Sequence, residues 1–234
     1  VSDGDEQRRD TEGRVLPSAA VLRGTARRRE DSSSAFVRAA HLSADETSAQ
    51  LSVALAAVLT GLATNQALAH PTVTPERLTF WHQAVFGGLF KREAGRFRKP
   101  HEDVVFSNVY VGTVGEQHQV VFNGAPGRTI EDRLETACTA FATVQRRHAA
   151  GSRDVSELAH ELARLVAVIL RIHPFLDGNH RITLLAMQAV IRDVSGTIML
   201  LPDDIEELGG DLELALLGDD YVQPLADRLA RVLT

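Results

Sequence analysis

A mainly α-helical chain with one β-hairpin set into it is the fold class this sequence predicts, and three observations predict it. Apolar residues recur at helical spacing through most of the chain. One stretch, Val104 to Phe122, switches to β-branched and aromatic runs divided by glycines. Nothing competes with a packed core: Cys138 is the sole cysteine, which rules out an intrachain disulfide, and no run approaches the ~20 apolar residues of a membrane span. A chain of 234 residues, 44% hydrophobic and 24% charged, is long enough to bury that core.

Residues 1–33 are polar and rich in both charge signs, with Arg27-Arg28-Arg29-Glu30-Asp31 before three serines. They read as a flexible arm. Residues 34–74 read as a helical extension, where Leu51, Ala54, Leu55, Val58 and Leu62 fall at core-facing helical spacing between Ala44 and Ala69. Thr74-Pro75-Glu76 is a helix start: a capping hydroxyl, proline in the first turn, an acid beside it. Leu78, Trp81, Val85, Phe86, Leu89 and Phe90 follow as an apolar stripe, better read as core than as the lining of a cofactor pocket.

Val104 to Val111 and Gln119 to Phe122 then read as two strands, with the turn placed at Gly112 to Gly115. A lone hairpin is marginal in water, so this one must rest on the body or a partner. Asn123-Gly124-Ala125-Pro126-Gly127 ends it, and Thr129 opens a helix over Ile130 to Arg147. That helix carries Cys138, read as a packed small hydrophobe and not a catalytic thiol. Ser156 to Arg171 has a broad apolar face and reads as a central helix; Ile182 to Arg192 reads as another. After Gly196 come a short apolar run, Thr197 to Leu201, and an acidic stretch, Asp203 to Asp220, read as a solvated face. Pro224 opens a terminal amphipathic helix, so residues 201–234 are expected as helices packed on the core.

The net charge of −6 argues against bulk binding to nucleic acid, and no membrane association is expected. The chain starts without Met or a signal-peptide apolar region, which reads as a trimmed or internal fragment; the cytoplasm is the expected location, with a secreted effector as the alternative.

Between the two central helices lies the run His173-Pro174-Phe175-Leu176-Asp177-Gly178-Asn179-His180-Arg181. It gathers a proton acceptor, a carboxylate, a Gly-Asn turn and a guanidinium, the parts of a phosphate site. Each part has a bland reading alone. His173 suits a packed loop, Asp177 a helix cap, Arg181 a surface ion pair. Their spacing favours the phosphate site.

This run resembles the Fic family signature H-P-F-x-x-G-N-G-R, and Ala94-Gly95-Arg96-Phe97-Arg98 is similar to the family's A-G-x-[YF]-R element. The resemblance covers roughly residues 75–200 and implies a Fic-type helical bundle with a β-hairpin flap before the motif helix. It implies transfer of AMP from ATP to the Ser, Thr or Tyr hydroxyl of a protein substrate, with Mg²⁺ as cofactor. Carried over by position, His173 is the general base, and Asp177 ligates Mg²⁺. Gly178 and Asn179 form an anion nest; His180 and Arg181 complete the nucleotide- and phosphate-binding set. Asn108, Val109, Tyr110 and Val111 on the flap are expected to dock the target by strand pairing.

Two positions depart from the pattern. His180 stands where AMP-transferring members carry Gly and phosphate-transferring relatives of the death-on-curing type carry Lys. Leu184 stands where many members carry a second Arg. A phosphotransferase of that second type, or a Fic-like domain that binds nucleotide or partner without turnover, are the alternatives. The resemblance also implies an inhibitory helix [S/T]-x-x-x-E-[G/N] in self-inhibited members. Here Ser2 to Glu6 and Thr72 to Glu76 are followed by Gln7 and Arg77, so neither completes it. No internal inhibition of this type is expected, with any control coming from a separate inhibitor protein or from expression.

Overall fold

The computed structural model describes residues 27–28, 44–64, 73–99, 105–113, 116–152, 154–196, 198 and 205–234, with backbone alone at 27–28, 44–45, 47–48, 105–113, 116–123, 152 and 205–207. Within them the chain is mainly helical. In order run β1 (Arg27–Arg28), α1 (Ala44–Thr64), α2 (Pro75–Phe86), β2 (Val105–Thr113), β3 (Glu116–Asn123), α3 (Ile130–Arg147), α4 (Val155–Ile172), α5 (Asn179–Ser195), α6 (Ile205–Leu216) and α7 (Gln223–Leu233).

Helix α4 is the axis of the fold. Asp154 caps it by accepting from the Glu157 N–H at 2.9 Å, so one first-turn donor is satisfied. Its apolar face is nearly continuous: Leu158, Leu162, Leu165, Val166, Ile169 and Leu170 are all buried. Helices α3, α5, α6 and α7 pack around it. Burying one such side chain contributes about 1.5–3 kcal/mol, which is why so apolar a helix takes the centre.

Thr74 caps α2 as its sequence suggests, its hydroxyl accepting from Arg77 N–H at 3.2 Å with Pro75 in the first turn. The stripe is core: Leu78, Trp81, Val85 and Phe86 of α2, and Phe90 in the turn after it, are buried. The motif helix α5 begins at Asn179, earlier than the apolar pattern from Ile182 indicated, because polar motif residues form its first turn. Part of the acidic stretch is not a solvated face. Glu213 is 6% exposed and Asp211 pairs with Arg228 of α7 at 2.7 Å, because Leu208, Leu212 and Ala215 turn α6 inward.

The strands form one antiparallel sheet in the order β1-β2-β3. Strand β2 runs against β3 from Val105↔Asn123 to Thr113↔Glu116, with a register shift between Phe106 and Asn108. Gly112 and Thr113, expected in the turn, are in the ladder instead. On its other edge Val109 and Tyr110 pair with Arg28 and Arg27. The rest of the 1–33 arm, residues 114–115 of the turn, Val104, residues 65–69, and most of the 197–201 run lie outside the described residues, as do Asp203 and Asp204.

Cys138 is 4% exposed, and burial, then Glu135 and Glu76, push its thiol up to about 12. The thiolate is the reactive form, so iodoacetamide is expected to leave the native chain unmodified and to label it fully in denaturant. Stoichiometric labelling of the folded chain within minutes would contradict this packing.

Candidate active site

Helix α4 ends at Ile172 because the next two residues cannot extend it. His173 takes a left-handed conformation (φ 51°, ψ 61°), and Pro174 has no N–H to give. His173 is the only non-glycine with positive φ among the described residues. Such a backbone costs on the order of 1–2 kcal/mol, so surrounding bonds must hold it.

The loop then alternates between anchors and chemistry. Pro174, Phe175, Gly178 and Asn179 are buried, whereas His173, Asp177, His180 and Arg181 are half-buried. Phe175 is fully enclosed and stacks on the His82 ring at 4.0 Å. Asn179 braces the loop from within. Its Oδ1 accepts from Phe175 N–H and its Nδ2 donates to Phe175 O, both at 2.9 Å. The Asn179 side chain is therefore held to the loop, and its backbone N–H faces the expected anion nest as part of the helix start.

Gly178 caps α5 with φ 79° and no side-chain cap bond. Asp177 does not cap that helix; its Oδ1 accepts from the adjacent Gly178 N–H. A helix start leaves first-turn N–H groups without intrahelical carbonyls and carries the positive end of the dipole, a suitable seat for phosphate. Arg181 makes no hydrogen bond or ion pair to a described residue, unlike Arg164 and Arg171, which both pair with Asp219. Leu184 packs partly buried against the core and offers no charge.

Two residues that the sequence reading gave no role shape the loop. His82 of α2 is fully buried; its Nδ1 accepts from Gly95 N–H at 3.0 Å. Its Nε2 must then carry the proton and donate to the Asp177 carbonyl at 3.1 Å. Burial pushes its pKa down to about 4, against the opposing effects of the Asp177 backbone bond and carboxylate. The signal was available: His82 falls on the same helical face as Leu78, Trp81, Val85 and Phe86. Its folded pKa lies below the ordinary ~6.5, so its contribution is full above pH 6.5 and is lost as pH falls through 4. We expect about 2 kcal/mol less stability at pH 5 than at pH 7 from this group, read as a lower urea midpoint. The difference should shrink in His82→Gln; an equal difference there would assign it elsewhere.

Arg98 is the second. It is 2% exposed, and its Nη2 donates to the carbonyls of Ala125 (2.8 Å) and Ile172 (3.1 Å). The end of β3 leads straight here: Gly124 abuts His173 and Arg98, and Ala125 N–H donates to Ile172 O at 3.0 Å. The backbone of Asn108 to Val111 lies in β2 of the same sheet.

A cavity of about 870 Å³ lies beside Arg98, with Glu76, Arg96, Lys99, Arg128, Glu131 and Glu135 in its wall. It holds none of the motif residues and mixes both charge signs, so it selects neither anion nor cation. Among the described residues no group of three or more His, Cys, Asp or Glu side chains forms a metal cluster. Asp177 alone, a hard half-exposed carboxylate, fits Mg²⁺, which takes one or two carboxylates and completes its shell with phosphate and water.

A family model described as the Fic/DOC family matches residues 72–191. The chain is similar in fold to a Fic domain-containing signaling protein from Bacteroides thetaiotaomicron, with TM-score 0.51 and 17% identity over 80% of this chain and 68% of that one. It is likewise similar to the BepC protein, a VirB-translocated effector from Bartonella tribocorum crystallised with AMPPNP. There the TM-score is 0.56 and the identity 14%, over 81% of this chain and 87% of that one. No curated protein matches the sequence. The family model spans half of the chain, holds the whole His173–Arg181 loop and agrees with the fold of both structures: this protein belongs to the Fic/DOC family.

Proposed function

We propose that this chain is a Mg²⁺-dependent nucleotidyltransferase that moves AMP from ATP to a protein hydroxyl. The observation that carries the reading is the division of labour in the 173–181 loop. Four buried residues fix its path, and the four half-buried polar ones are a base, a carboxylate, a second imidazole and a guanidinium with no ion pair among the described residues, at a helix start. The family is commonly one of transferases, and the BepC protein was crystallised with an ATP analogue, which supports ATP as the co-substrate here.

In this reading the target hydroxyl oxygen attacks the α-phosphorus. The new P–O bond forms as the bond to pyrophosphate breaks, and the hydroxyl proton passes to a ring nitrogen of His173. Asp177 would hold Mg²⁺, which neutralises charge on the phosphate oxygens. The backbone N–H groups that open α5 bind the phosphates, and Arg181 stabilises the leaving group as it gains charge. Strand β2, with Asn108 to Val111, aligns the target segment as a flap.

His180 favours a second reading. A side chain on the second residue of α5, where AMP-transferring relatives have none, can reach a phosphate from a new direction, as in phosphate-transferring relatives. ATP labelled at the α- or the γ-phosphate separates the two. We expect α-label on protein; γ-label alone would replace AMP transfer by phosphate transfer.

A further inference from the structure

We propose that Arg98 is the positioning residue that keeps His173 in its working backbone conformation, an inference that rests on His173 being the base as proposed above. The left-handed backbone at His173 is unfavourable for a residue with a Cβ, and the bond that its own helix is seen to give it runs from His173 N–H to Ile169 O at 3.0 Å. Every other bond described at this chain reversal comes from outside α4, and most come from Arg98. Its Nε donates to His173 O at 2.6 Å. Its Nη2 donates to Ile172 O at 3.1 Å, and its own N–H donates to Pro174 O at 2.8 Å.

Three successive carbonyls, 172 to 174, thus point at one residue more than seventy positions earlier. The end of α4 leaves orphan carbonyls and the negative end of the helix dipole, so a planar guanidinium is matched to it in both charge and shape. Lysine has the charge without the fork. Gly124 closes the cradle on the other side: a Cβ there would lie 2.7 Å from Arg98 Nη2 and 3.3 Å from His173 Cβ. Arg98 itself is too deeply buried, at 2% exposed, to serve as a surface contact for nucleotide. Its effect on transfer therefore runs through the direction in which His173 leaves the helix. A base misplaced by about 1 Å can lose on the order of 10²-fold in rate.

The test is Arg98→Lys, with Gly124→Ala as a second variant that presses on Nη2 while leaving Arg98 in place. Two readouts are taken on the full chain. One is steady-state transfer, separated into kcat and KM for ATP. The other is the intraresidue HN–Hα NOE of His173 in histidine-labelled protein, which is strong only when φ is positive. We expect kcat to fall about tenfold or more in Arg98→Lys, KM to stay within about threefold, and the His173 NOE to weaken. Gly124→Ala should move both in the same direction by less. A folded Arg98→Lys that keeps the strong NOE, or loses it with kcat unchanged, overturns the proposal. If Arg98→Lys does not fold, the same two criteria apply to Gly124→Ala. If the unsubstituted chain transfers nothing from any nucleotide, the functional reading fails, and the NOE arm still decides whether Arg98 holds His173.

Discussion

Replacing His173 with Ala is expected to lower transfer by about 10²–10⁴-fold while leaving nucleotide affinity within a few-fold of the parent. In the proposed reading the two effects separate because the imidazole acts on the hydroxyl proton, whereas the phosphates would be bound by the helix start at Asn179 and the Arg181 guanidinium. Stability should change little. His173 is only half-buried, and alanine also tolerates the helix end, although neither residue favours the left-handed backbone. Calorimetric titration with a non-hydrolysable ATP analogue, beside single-turnover transfer, reads both quantities. Transfer that survives the substitution would remove His173 from the base role. Loss of binding together with transfer would make it a nucleotide contact instead.

The second large effect is structural. Gly178→Ala is expected to cost about 2–4 kcal/mol, lowering the melting temperature by roughly 5–15 °C for a chain of this size. Two causes add. Gly178 sits at φ 79°, a backbone that costs an L side chain on the order of 1 kcal/mol. Its Cβ would also overlap the ring of Phe86, and that ring cannot retreat, because Phe86 is 1% exposed and packed against His82 and Phe90. The loop must shift, carrying Asp177 and the start of α5 with it, so transfer should fall as well. A Gly178→Ala chain that melts with the parent would mean that the loop and α2 are less tightly packed than these contacts indicate.

The helices were legible wherever a local rule is enough. The Ile130–Arg147 helix appears with the bounds its apolar spacing suggests, and α4 differs from its sequence reading by one residue at each end. Thr74 caps α2 through a bond that spans three residues, a distance the sequence makes visible. The motif was legible because its residues are contiguous. What could not be read was support from far away. His82 reaches Asp177 across ninety-five positions, and Arg98 reaches His173 across seventy-five. Neither partner is implied by local spacing, and only the packing of α2 and the 95–98 turn against the loop creates the bond. Asn179 was read through its place in the motif as part of an anion nest, and local spacing gave no sign of the two bonds its side chain makes to Phe175. Part of the acidic stretch misled for a related reason: composition marked it as solvated, which holds at Asp219 and Asp220, but the leucines at helical spacing decide which way α6 faces.

The central claim is that the 173–181 loop transfers a nucleotide, and intact-protein mass spectrometry addresses it most directly. The pure chain is incubated with Mg²⁺ and ATP, then with each other nucleoside triphosphate, beside a His173→Ala control. The account predicts a gain of one AMP on the parent chain or on an added protein acceptor, and no gain on the control. A gain of one phosphate in place of AMP, or an equal gain on parent and control, would contradict it.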